Sequence, residues 1–62
     1  MNKQELQRQI HLNKRKIKAN VNQITLVLFP SEQWNEAEKL AMEISNLAAD
    51  NYDYELQLRE FE

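Results

Sequence analysis

Apolar residues recur at helical spacing near the start of the chain. Leu6, Ile10 and Ile17 share one side of a helical wheel, with Gln, Lys and Arg around the rest. Asn2 is placed to cap such a helix, and Glu5, three positions on, makes an Asn-x-x-Glu variant of the capping box. The pattern predicts a helix over residues 2–19. Its apolar stripe is thin, because Asn13 interrupts it between Ile10 and Ile17, so this helix needs a partner surface.

Residues 23–29, Gln-Ile-Thr-Leu-Val-Leu-Phe, are the most apolar stretch. Ile24, Thr25 and Val27 are β-branched and Phe29 is aromatic, which favours a strand. Asn20 and Asn22 punctuate the chain before it and Pro30 stops it. Ser31 as N-cap and Glu32 in the first turn then open a second helix, predicted over 31–49. Trp34, Ala37, Ala41, Ile44 and Ala48 form its 3-4 spaced stripe, widened by Leu40 and Leu47. Over residues 52–59 the pattern changes to alternation: Tyr52, Tyr54, Leu56 and Leu58 on one face, Asp53, Glu55, Gln57 and Arg59 on the other. That period of two predicts a strand wet on one side, with Asp50-Asn51 as the turn into it.

The expected fold is therefore α+β: one small domain over residues 1–62 in the order helix, strand, helix, strand, with the two strands parallel across a right-handed connection. A rival reading is all-α. Val21, Ile24 and Leu28 continue the wheel phase of Leu6, Ile10 and Ile17, so one helix can run from 3 to 29 and turn at Pro30-Ser31 into a helical hairpin. In that arrangement Leu26, Val27 and Phe29 point away from the seam.

Both readings lead to association. Two strands do not make a stable sheet in water, and strand 24–29 would be apolar on both faces. A two-fold partner would complete a four-stranded sheet, or, for hairpins, a four-helix bundle. Length points the same way: a 62-residue chain buries only about 60% of its unfolded surface, and the hydrophobic gain nearly cancels the entropy of ordering. With no Cys and a single His, neither a disulfide nor a structural zinc site reinforces the core. A homodimer is expected, its interface drawn from Ile24, Leu26, Val27, Leu28, Phe29, Tyr52, Tyr54, Leu56 and Leu58.

Charge is split along the chain although the net is only −2. Lys3, Arg8, Lys14, Arg15, Lys16 and Lys18 lie in the first half against Glu5 alone, whereas the second half is acidic apart from Lys39 and Arg59. The simplest expectation is that the halves face and neutralise one another. Two others are a nucleic-acid contact through Arg8, Lys14, Arg15, Lys16 and Lys18, and an acidic surface of Glu32, Glu36, Glu38, Glu43, Asp50, Asp53 and Glu55 that imitates nucleic acid or courts a basic partner. The sequence pI of about 5.3 weighs against strong DNA binding.

Chemistry is scarce. The chain has no glycine, which excludes the phosphate-cradling loops that need close backbone approach. It has no Cys nucleophile, and its one His, His11, lies in a basic polar segment away from Ser31 and Ser45. Asp50-Asn51-Tyr52-Asp53 lacks the Gly and the closing Glu of a calcium loop. No catalytic residue, cofactor or metal is expected. The longest apolar run, Leu26-Val27-Leu28-Phe29, is far short of a membrane span, and the polar start at Met1–Glu5 leads into no secretory leader, so a cytoplasmic protein without a membrane partner is expected. The leading functional expectation is a non-enzymatic homodimer that binds and modulates a larger protein. Its size, acidity and Asn- and Lys-rich composition give it the general look of a phage or mobile-element accessory or inhibitor factor.

Overall fold

A computed structural model describes residues 1–61. It is a hairpin of two long antiparallel helices. Helix α1 runs Lys3–Gln23 and continues as a π-helical stretch, Ile24–Leu28. Helix α2 runs Trp34–Leu58 and closes in a 3-10 turn, Arg59–Phe61. The hairpin is a rod, 45 × 14 × 13 Å, with a radius of gyration of 14.2 Å against roughly 10.5 Å for a compact chain of this length.

This corrects the α+β expectation: no strand forms among the described residues, and the fold is the all-α hairpin of the rival reading. The expected strand at 23–29 is the end of the first helix. Its β-branched residues prefer a strand locally, but helical winding puts Ile24 and Leu28 on the seam. There they are 7% and 6% exposed and pack with Ala37, Leu40 and Ile44. Tertiary burial outweighs propensities of a few tenths of a kcal/mol per residue. The expected strand at 52–59 belongs to α2 and its 3-10 end, and Asp50-Asn51 is helix interior, not a turn. Alternation over four apolar residues is also two i,i+4 pairs. Tyr54 and Leu58 fall on the seam and are half-buried, whereas Tyr52 and Leu56 fall on a second side and are exposed.

In α1 the seam descends through Leu6, Ile10, Asn13, Ile17, Asn20 and Ile24, alternating steps of four and three. In α2 it runs Ala37, Leu40, Ile44, Leu47, Asn51, Tyr54 and Leu58 with the same alternation. This is the spacing of coiled-coil packing. The next α1 position after Ile24 would be Val27, yet Leu28 is the buried residue. The π turn explains the shift: Phe29 N–H donates to the Ile24 carbonyl five residues back, and the extra residue advances the seam by one. Pro30 follows, where a tight α-turn would set its ring against a carbonyl.

The turn uses no glycine. Gln33 N–H donates to the Leu28 carbonyl and Glu32 N–H to that of Phe29, the two bonds of a Schellman stop, with Glu32 in the left-handed position at φ 57°. Ser31, expected as an N-cap, instead ends the first helix, its Oγ donating to the Val27 carbonyl. Helix α2 therefore starts three residues later than predicted, at Trp34, with no side-chain cap from Gln33. At the other end Asn2 caps as predicted: its Oδ1 accepts from the Glu5 N–H at 2.8 Å, and its Nδ2 donates to the Glu5 carboxylate.

Candidate interaction surface

The seam holds one polar pair. Asn13, 2% exposed, donates through Nδ2 to Oδ1 of Asn51 at 2.9 Å and accepts from Gln9 Nε2 at 3.1 Å. Asn51 donates in turn to the Ile10 carbonyl. Both Asn residues face the seam because each sits in a 3-4 step between apolar residues. Their carboxamides satisfy one another only when the two helices are in this register. The sequence showed Asn13 as an interruption and Asn51 as a turn; the signal that links them is their common place in the two seams. Asn20, the other polar seam residue, keeps a buried side-chain nitrogen with no hydrogen-bond partner among the described residues.

Many large apolar side chains lie outside the seam. Among the described residues only Leu6, Ile24, Leu28 and Ala37 form the buried hydrophobic set, while Leu26, Val27, Phe29, Trp34, Met42, Tyr52 and Leu56 are among the large apolar side chains left exposed. Two groups emerge. Leu26 (72% exposed), Val27 and Phe29 crowd the turn end, where the Phe29 and Trp34 rings lie 5.6 Å apart, tilted by 49°. Along α2, Tyr52 and Leu56 share a side with Trp34 that is roughly 130° from the seam at 100° per residue. Of the expected interface residues, Ile24 and Leu28 are thus spent inside the hairpin, Tyr54 and Leu58 line its seam, and Leu26, Val27, Phe29, Tyr52 and Leu56 are available outside.

The expected charge pairing takes no direct form. Among the described residues the one ion pair is Lys39 with Glu36, 3.3 Å apart one turn along α2 and exposed. Arg8, Arg15 and Lys18 lie on the outward side of α1, with Lys14 and Lys16 on opposite flanks, so the five bases do not converge. Glu36, Glu43 and Asp50 follow a third side of α2, beside the seam and away from Trp34 and Tyr52, with Asp53 further round, nearly opposite the seam. Glu38 and Glu55 depart from that line, and Glu32 is in the turn. His11 is exposed. A shallow groove lined by Met1, Glu5, Arg8, Gln9 and Leu12 is a crease between side chains of α1 and its leading residues. No helix among the described residues is long and apolar enough to cross a membrane. No family model, no curated protein and no solved structure matches this chain.

Proposed function

We propose that this chain is a non-enzymatic binding module that acts as a homodimer and presents its apolar turn end to a larger protein. The observation that carries this reading is the imbalance between inside and outside. Among the described residues four hydrophobic ones are buried, and more large apolar side chains than that face water. Contiguous exposed apolar surface on a small protein marks a binding site. The turn end suits a partner contact: Leu26, Val27 and Phe29 are held by the π turn and the Schellman stop, so little order remains to be gained on binding. A hydrolytic role finds little support, since the Ser31 hydroxyl is committed to a carbonyl and His11 stands alone on an exposed helix face.

Sedimentation equilibrium of the chain tests the homodimer. The expected result is a mass near 14.8 kDa, twice that of one 7.4 kDa chain, at micromolar concentration. A single 7.4 kDa species at every concentration contradicts it.

A further inference from the structure

The inference here rests on the homodimer reading and names its surface. We infer that two copies pair through α2 alone, antiparallel, about a two-fold axis passing close to Ser45. The face in question is Trp34, Ala41, Ser45, Ala48, Tyr52 and Leu56, within roughly 120° of one another around the helix and all exposed.

Three observations select a second copy as the occupant. The first is area. The chain exposes 4872 Å², whereas a compact folded chain of its mass exposes roughly 4,200 Å². The excess, near 700 Å², is close to the ~800 Å² that each partner contributes to a standard interface. The second is self-complementarity. Ala41 and Ala48 flank Ser45 and the largest residues lie at the ends, so reversing a second copy about Ser45 sets Trp34 against Leu56, Ala41 against Ala49 and Ala48 against the exposed Met42. It also sets Glu38, the charged residue inside the stripe, against the hydroxyl of the second copy's Tyr52, a donor it can accept from.

The third observation is charge. A two-fold interface brings the same patch together on both copies, so any face of one sign repels itself. That excludes the outward side of α1 with Arg8, Arg15 and Lys18, and the side of α2 with Glu36, Glu43 and Asp50. Pairing the basic side of one copy with the acidic side of another through a single contact is heterologous and gives rings or open chains, not a two-fold pair. The Ser45 face carries less charge than either, with Glu38 inside it and Glu55 at its edge.

The chain has no cysteine, so single introduced thiols report the geometry directly. At the axis, Ser45→Cys brings two Cα atoms within the ~4.4–6.8 Å that a disulfide spans. Ala41→Cys, four residues off the axis on each copy, leaves them about 12 Å apart along the helices, beyond reach. Under a mild oxidant Ser45→Cys is expected to give a covalent dimer with undiminished helicity, much faster than Ala41→Cys. Separately, Ser45→Glu places two carboxylates on the axis and is expected to weaken the dimer about a hundredfold while the hairpin stays helical, Ser45 being exposed within one chain. If the wild-type chain is a dimer but Ser45→Cys links no faster than Ala41→Cys, or Ser45→Glu dimerises normally, this surface is wrong and the homodimer reading survives. Open polymers of rising mass also overturn the two-fold arrangement, and a monomer overturns both readings.

Discussion

At the scale of single residues, the two polar positions of the α1 seam behave in opposite ways. Asn13 is satisfied by Asn51 and Gln9, whereas Asn20 has a buried nitrogen without a partner among the described residues. Removing one member of a satisfied pair strands the other. Asn13→Leu is therefore expected to destabilise the chain by about 1–3 kcal/mol, and the double variant with Asn51→Leu to recover most of that loss. Asn20→Leu is expected to do the reverse, stabilising by about 1–2 kcal/mol, because it relieves an unmet donor and adds apolar seam surface. Urea titrations followed by helicity read all three. An Asn13→Leu loss that the second substitution does not repair would show that the pair contributes nothing specific. The value of the pair lies in register: leucines slide past one another more freely than two carboxamides that must meet.

At the scale of elements, the turn is the costly piece. Glu32 holds a left-handed conformation that a residue with a Cβ enters at a penalty of about 1–2 kcal/mol, and no glycine is available in this chain to take it. Glu32→Gly is expected to stabilise the hairpin by about 0.5–1 kcal/mol, the steric relief exceeding the added freedom of the unfolded chain. A drop in the unfolding midpoint would contradict the Schellman geometry. Far-ultraviolet circular dichroism is expected to show helix without a strand component. Much of α1 and the middle of α2 was legible in the sequence, because 3-4 spacing and the Asn2 cap are local signals. The two ends of the apolar pattern were not. In 23–29 the β-branched residues argue for a strand until the burial of Ile24 and Leu28 is known. In 52–59 alternation divides equally well into two helical faces, and only the position of Asn51 on the α2 seam shows that the helix continues. The π turn left no trace in the pattern beyond Leu28 appearing one position late.

At the scale of the molecule, a single seam between two helices cannot bury what this chain carries. The excess of surface over a compact fold, the exposed apolar side of α2 and the apolar turn end express one geometric fact: a rod 14 Å across has almost no interior. The charge split is distributed to match, with bases outward on α1 and acids along the flank of α2, and the Trp34–Leu56 side left neutral apart from Glu38 and Glu55. Of the interface residues expected from the sequence, Ile24, Leu28, Tyr54 and Leu58 serve the hairpin itself, while Leu26, Val27, Phe29, Tyr52 and Leu56 stay outside it. Sequence reading overlooked Trp34, Ala41, Ser45 and Ala48 as a separate face, since Trp34, Ala41 and Ala48 were merged with the seam. The most direct test of the account is thermal unfolding, followed by helicity, across a wide dilution series. Stability drawn from a second copy predicts a midpoint that falls steadily on dilution, because unfolding and dissociation are then linked. A sharp transition at one temperature, whatever the concentration, would contradict it.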